Sequence, residues 1–189
     1  SLSMQYKGAS SLLRIEPYLK RYRHLPRIPQ GEWLADGYGT SRGVDVFVED
    51  HSISPRLVTT LAYSLNDSER LYQDYTELST PSFASRHNLR LSAKYSIGKC
   101  ILGVAESYAT GRHFAQGTTP HYNSVDVNLT YLLSPKVIIY TSLNNVLGRT
   151  NIHRYDAQGR GIISNRDRFF YITALVSLKN NKAYDVSNF

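Results

Sequence analysis

A chain of 189 residues is long enough for one domain with its own core. Its 22 Lys and Arg outnumber 15 Asp and Glu, but they are spread too thinly to form a phosphate-tracking stripe, which argues against nucleic acid as a partner. The single cysteine, Cys100, excludes an internal disulfide framework and a thiolate zinc site, and no apolar run approaches the roughly 20 residues of a membrane helix.

The chain opens SLSMQYKG, without a leading Met or a signal-peptide pattern, so a start after processing or within a longer chain is expected. Thereafter the dominant signal is alternation with a period of two. After a short opening segment, 1–6, residues 11–24 set Leu13, Ile15, Pro17 and Leu19 against Arg14, Glu16, Tyr18 and Lys20. Pro17 fits an edge or a bulge, because it cannot donate to a ladder. Residues 43–49 set Val44, Val46 and Val48 against Asp45, Phe47 and Glu49. Residues 56–66 carry Leu57, Leu61, Tyr63 and Leu65 on one side. In 87–97, Leu89, Leu91, Ala93, Tyr95 and Ile97 oppose Asn88, Arg90, Ser92, Lys94 and Ser96. The stretch 100–110 alternates less clearly. Residues 124–132 are cleaner, with Val125, Val127, Leu129 and Tyr131 against Asp126, Asn128 and Thr130. The run 136–147 is again less regular, and 169–178 sets Phe170, Ile172, Ala174, Val176 and Leu178 against Tyr171, Thr173 and Ser177.

These segments predict an all-β fold of about nine antiparallel strands, several longer than the five or six residues usual in globular proteins. The connections alternate as well: short at 7–10, 50–54, 98–99 and 134–135, long at 25–38, 67–83, 112–121 and 149–166. An up-and-down meander puts all short turns at one end and all long loops at the other, which is the asymmetry of an outer-membrane β-barrel. On that reading the apolar face meets lipid, and Arg14, Glu16, Asp45, Arg90, Lys94, Asp126 and Asn128 line a polar lumen. Two alternatives stay open. A soluble carbohydrate-binding sandwich also shows alternating strands with turn signals. A self-contained small barrel, a pore or adhesin, is disfavoured by the odd strand count. Of the 15 tyrosines, Tyr63, Tyr95 and Tyr131 are placed near strand ends as candidates for an interfacial girdle, though tyrosine is also simply a good strand residue.

Several motifs add a family resemblance. TPSFASRHNLRLSAKY followed by YATGRHF, with Pro81, Phe83, His87, Asn88, Tyr108, Thr110, Gly111 and Arg112, resembles the closing strands of TonB-dependent outer-membrane receptors. SVDVNLTYLLSPKVIIYTSLNNVLGRTN, with Asn145, Val146, Leu147 and Gly148, is similar to that family's penultimate hairpin, and RDRFFYITALVSL to its last strand. SLLRIEPYLKRYRHLPRI and GYGTSRGVDVFVED fit an earlier strand pair. The resemblance implies that residues 1–180 are the C-terminal segment of a larger transmembrane barrel and that 181–189 form a tail. It also implies residence in the bacterial outer membrane amid lipid and lipopolysaccharide, and partners in a plug domain and the TonB system through an N-terminal part beyond this chain. The ligand class is a scarce small-molecule nutrient: siderophore, haem, vitamin, glycan or peptide. The sequence departs from the pattern where KNNKAYDVSNF follows Leu178, since the family usually ends on an aromatic directly after the last strand.

No nucleophile elbow, metal-binding HExxH helix or Gly-rich phosphate loop occurs, so no catalysis, cofactor or resident metal is expected. A metal held by His113 and His121 across one loop is disfavoured, because flexible loops rarely supply a set geometry. Binding chemistry concentrates in the long connections: Arg27, Trp33 and Tyr38; Tyr72 and Tyr75; Arg112, His113, His121 and Tyr122; His153, Arg154 and Tyr155. Aromatic faces with arginine forks suit anionic chelates, sugars or peptides. The competing reading of these residues is a solvated rim facing lipopolysaccharide.

Overall fold

The computed structural model describes residues 2–114, 117–156, 158–163 and 168–178. The proposed tail, 181–189, lies outside them. Thirteen strands occur among the described residues. In chain order they are β1 (Met4–Lys7), β2 (Ser11–Arg27), β3 (Leu34–Asp50), β4 (Leu57–Leu71), β5 (His87–Ile97), β6 (Cys100–Ala109), β7 (His113–Phe114), β8 (Gly117–Thr118), β9 (Tyr122–Ser134), β10 (Val137–Asn144), β11 (Ile152–Tyr155), β12 (Gly161–Ile163) and β13 (Phe169–Val176). Nine form one sheet in the order β1-β2-β3-β4-β5-β6-β9-β10-β13, each pair antiparallel; β7–β8 and β11–β12 are separate hairpins within two connections.

The register sorts side chains as the alternation requires. Cross-strand rows such as Ile15–Val46–Tyr63–Leu89–Tyr108 run through the apolar face. Rows such as Glu16–Asp45–Ser64–Asn88–Ala109 run through the other. Arg14, Glu16, Asp45, Arg90, Lys94, Asp126 and Asn128 all fall on this polar face. It is concave, with a cavity of about 520 Å³ lined by Arg14, Glu16, Asp45, Phe47, Asn88 and Arg90 among others. The apolar face is uncovered: Leu19 is 58% exposed, Phe170 63% and Ile172 64%. Among the described residues hardly any large side chain is fully buried, Ile138 and Pro81 being the exceptions, so the sheet has no ordinary core of its own.

The strand ends differ from expectation in several places, among them β4, which runs on to Leu71 where a connection over 67–83 was expected, leaving the loop 72–86. The connection expected over 25–38 shrinks to residues 28–33, because the β2–β3 ladder runs on to Arg27↔Leu34 through irregularities at Tyr22/Leu25 and Leu25/Arg27. His24, at φ 56, supplies the kink that lets the ladder pass the proline-rich stretch. Tyr63, read as near a strand end, stands mid-strand in the 15-residue β4. The loop between β10 and β13 spans 145–168 rather than 149–166.

Close backbone approach explains the glycines of β3. Gly39 and Gly43 lie on the polar face with buried Ser41 between them. A Cβ at Gly43 would run into the Leu65 carbonyl and the Tyr18 ring. The bare backbone lets the Tyr18 hydroxyl cross over to donate to the Asn66 side-chain oxygen at 3.2 Å, which Ser41 Oγ also meets at 2.9 Å. Replacing Gly43 with valine is expected to cost about 1–3 kcal/mol, the range for overpacking. The check is a lower urea midpoint for the folded protein, with a Ser64→Thr control on the same face left near wild type.

Candidate functional site

The four loops 28–33, 72–86, 110–121 and 145–168 share one end of the sheet, opposite the turns 8–10, 51–56, 98–99 and 135–136. Two groups of side chains assemble there on the polar side.

The first is built on the tall wall of β2, β3 and β4, whose lengths of 17, 17 and 15 residues exceed the roughly nine to eleven a tilted membrane strand needs. Gly39 leaves room for Tyr22 and Arg70 to meet across β3. The Arg70 guanidinium lies 4.1 Å from the Tyr22 ring centroid and 5.2 Å from that of Phe83, so it is sandwiched by two aromatic faces. Its Nε is buried without a hydrogen-bond partner. The loop 72–86 is laced back to the wall by Arg70–Ser79 backbone bonds on one side and Gln73 bonds to Pro26 and Ile28 on the other. Tyr72 packs edge-on against Tyr75 at 4.9 Å and Phe83 at 6.4 Å, and the Ser82 amide donates to the Tyr75 hydroxyl. Burial, reinforced by Tyr75, pushes the Tyr72 phenol up to about 12.

The second group closes the lower side above β6, β9 and β10. Tyr122 and His153, with ring centroids 5.9 Å apart, stand between two cavities. One, of about 210 Å³, is lined by Ser85, Thr110, Arg112 and Thr119; the other, of about 320 Å³, by Asp126, Asn145, Arg149, Asn151, Phe169 and Tyr171. Both include Tyr122 and His153. Buried asparagines hold this framework. Asn151 accepts from the Asn123 amide and donates to the Asn123 carbonyl, each at 3.0 Å, imitating a ladder partner. Asp126 accepts from Ser124 Oγ at 2.9 Å and from the Asn145 amide at 2.8 Å, which fixes the turn entering the longest loop. Asn145, at φ 49, makes that turn. Arg149 Nη2 donates to His121 Nε2 at 2.9 Å, so His121 accepts there as the neutral tautomer. The β11–β12 hairpin closes on Asp156, whose carboxyl is held below the ordinary carboxylate range, chiefly by the Arg160 backbone amide.

Of the residues singled out from sequence, Arg112, Tyr122 and His153 share a cavity, and Arg149 with Asp126 extends it. Tyr72 and Tyr75 form the separate aromatic cluster. His113 bonds Thr118 and His121 bonds Arg149, so the two histidines are not paired; among the described residues no cluster of metal-ligating side chains occurs. Arg27 is spent on Asp36 at 2.9 Å. Trp33 projects from the tip of the β2–β3 arm, 74% exposed, and Arg154 is exposed on β11. Tyr38 pairs with Leu71 on the face of Arg42 and Asp67, so it points away from the polar cavity. Tyr155 reaches the Thr118 carbonyl and the Phe114 ring, tying two loops together. Tyr22, Phe169 and Tyr171 were missed as site residues; their signal is position, the polar face at the loop end of a strand.

The paired motifs also find a geometric reason. Thr110 exchanges bonds with His87, its amide donating to the His87 carbonyl and its Oγ1 accepting from the His87 amide. Arg112 Nε reaches Ser85 Oγ at 3.4 Å.

No family profile and no curated protein matches the sequence. Solved structures do match in fold. The ferric-catecholate import receptor Fiu from K12 E. coli superposes with a TM-score of 0.71 at 17% identity, over 92% of this chain and 26% of that one. The ferric yersiniabactin uptake receptor FyuA from Yersinia pestis gives 0.76 at 14% identity, over 92% and 28%. The ferric citrate transporter FecA in its unliganded form gives 0.75 at 14%, over 90% and 30%. The chain thus spans under a third of the length of each.

Arg70→Ala is expected to release the 72–86 loop, at a cost of about 1–2 kcal/mol for a partly desolvated cation–π pair. Limited proteolysis should cut that loop faster while the global unfolding midpoint barely moves. The raised Tyr72 phenol gives a pH signature: an acid whose folded value is raised keeps its loop packing below about pH 10 and loses it as pH climbs toward about 12. Tyr72→Phe should remove one phenolate from the late-titrating end of the absorbance curve. Register, loop asymmetry and superposition agree that this chain has the fold of a section of a TonB-dependent receptor barrel, nine antiparallel strands of its wall.

Proposed function

We propose that this chain is the closing part of an outer-membrane receptor barrel that takes up a scarce nutrient, a ferric or other metal chelate, under the drive of the TonB system. The observation that carries the reading is the uncovered apolar face. A soluble sandwich would bury Leu19, Phe170 and Ile172 against a second sheet, whereas here they stand 58–64% exposed. Lipid is the solvent such a band fits. On β4 the band runs from Leu57 to Leu65 and ends where Asp67 pairs with Arg42 at 2.8 Å, a charged pair suited to the headgroup level. The concave face then becomes the lumen, where Arg14, Glu16, Asp45, Arg90 and Lys94 meet water and the plug. The plug and the TonB contact belong to parts of the receptor outside these residues.

Ligand selection falls to the loop end. Arg112 and Arg149 supply guanidinium forks beside Tyr122, His153, Phe169 and Tyr171, a combination suited to an anionic, ring-bearing chelate. The named neighbours take up ferric catecholate, ferric yersiniabactin and ferric citrate, which favours iron among the metals. Lipopolysaccharide is the natural contact of outward groups at this level, Tyr38 and Arg42 among them.

Two experiments test the reading. Arginine at Val127 or at Ile172 faces the apolar side and is expected to cost about 2–4 kcal/mol near mid-bilayer, abolishing folded protein in the outer-membrane fraction. Arginine at Asn128 should accumulate normally, and equal tolerance at all three positions refutes the lipid assignment. Deleting residues 153–162 removes the β11–β12 hairpin but keeps the Asn151 anchor. Growth on a panel of ferric chelates should fall while barrel abundance stays constant; unchanged growth takes that hairpin out of the site.

A further inference from the structure

Arg149 is a cation held in reserve. It lines the cavity of about 320 Å³ together with Tyr122, Asp126, His153, Phe169 and Tyr171. Its guanidinium nonetheless serves a residue that does not line that cavity: Nη2 donates to His121 Nε2 at 2.9 Å. The backbone beneath it is clamped by Asn145, whose Oδ1 accepts from the Arg149 amide at 3.1 Å and whose Nδ2 donates to the Arg149 carbonyl at 2.9 Å. Only the side chain is therefore free to change partners. Arg149 and His121 are both exposed, so the exchange needs no unpacking. Nη2 belongs to both donor forks of the guanidinium, and while it serves His121 the two forks cannot both grip an anion.

The residue that holds Arg149 is one that a single proton converts. A neutral imidazole offers a lone pair at Nε2; an imidazolium offers none and donates from both nitrogens. Protonated His121 therefore cannot accept from Arg149, and the two cations repel. Imidazole is also the side chain whose charge ordinarily changes between about pH 5 and pH 8. Few other charged groups face His121. Tyr108 of β6 lies ring to ring with it at 5.7 Å, and Glu106, two residues earlier on that strand, is occupied by Asn123 at 2.8 Å. On the cavity side, Asp126 accepts from Ser124 and the Asn145 amide, and Arg112 and His153 line the adjoining cavity. Among the described residues no carboxylate forms an ion pair with His121.

We propose that binding of an anionic ligand at this site is coupled to protonation of His121, which releases Arg149 to the ligand. The inference rests on the reading that the loop-end cavities hold an anionic chelate. In the empty site the guanidinium on Nε2 favours the neutral imidazole. In the bound site the anion answers the charge of Arg149 and favours the imidazolium. Binding then takes up a proton, and affinity rises as pH falls. His121 acts as a positioning residue, through Arg149.

The test uses the receptor as its cells make it, purified in an uncharged detergent. It is titrated with the ferric tris-chelate of hydroxyquinoline sulfonate, a ring-bearing anion whose sulfonates stay ionised throughout. Calorimetry in two buffers of different ionisation heat counts the protons taken up. The wild type should take up a proton on binding, and should bind about fivefold tighter at about pH 5.5 than at about pH 8, the scale of one partly exposed charge contact. His121→Gln keeps an acceptor for Arg149 but cannot charge; its proton uptake should vanish and its affinity stay at the wild type's alkaline value. His121→Lys carries its charge throughout and should bind with the wild type's acid affinity at both pH values. His153→Gln, which removes the other imidazole of the cavity, should keep the pH slope whatever its affinity. No proton uptake by the wild type, the same uptake in His121→Gln, or uptake lost in His153→Gln instead overturns the coupling and leaves the binding site standing. No binding at either pH overturns the anion site and the proposed ligand class with it.

Discussion

The two-residue period of the strand is the constraint on which everything else rests. A slip of one residue between any two neighbours would carry Leu89, Leu91 and Tyr95 to the polar side and Arg90 and Lys94 to the apolar one. The register is therefore fixed by solvent on both sides at once, and side-chain ties reinforce it. Tyr18 spans Gly43 to reach Asn66, Tyr22 spans Gly39 to stack on Arg70, and Asn123 ties β9 to Glu106 of β6. Each tie joins strands through a position that only one register allows. Glycine is needed in β3 because two of them pass directly over its backbone.

This framework makes the rim uneven. On one side the ladder itself continues upward, so β2 and β3 form a rigid arm ending in a short connection. On the other, β6 and β10 stop after 10 and 8 residues, and the loops above them supply the surface. A hydrogen-bonded wall positions side chains more exactly than a loop but adapts less. The cavities around Tyr122 and His153 lie on the adaptable side, while the Arg70 cluster braces the 72–86 loop against the rigid one. The proposed binding surface therefore lies where the backbone has fewer ladder bonds to break.

Much of the framework was legible in the sequence because alternation is a local signal. The nine strands and the polar-face positions of Arg14, Glu16, Asp45, Arg90, Lys94, Asp126 and Asn128 follow from parity alone. The extent of the β2–β3 arm was not legible. HLPRIPQG reads as a loop by composition, yet His24 kinks the ladder and Pro26 uses its carbonyl on Gln73, so pairing persists through a proline. Tyr38 illustrates the same error from the other side: once the ladder reaches it, parity turns it outward, away from the cavity where a loop tyrosine was expected. The ties that build the site were beyond reach for another reason. Asn123 and Asn151 are separated by 28 residues, as are His121 and Arg149, and nothing in the local pattern of either loop announces the other.

Those non-local contacts fall into two energetic classes, and the division bears on how such a rim works. The anchors are doubly bonded and buried or half-buried: Asn151 with Asn123, both buried, and Asp126, half-buried, with Ser124 and the Asn145 amide. Losing one strands a desolvated polar group, at about 1–3 kcal/mol. The ties between loops are exposed and single, as in Arg149 with His121 or the Tyr155 hydroxyl with Thr118 at 3.5 Å, and surface contacts of that kind contribute about 1 kcal/mol or less. A ligand that replaces the second class with its own contacts leaves the first untouched. The bonded framework at the feet of the two connections ends at Thr119 and Asn151.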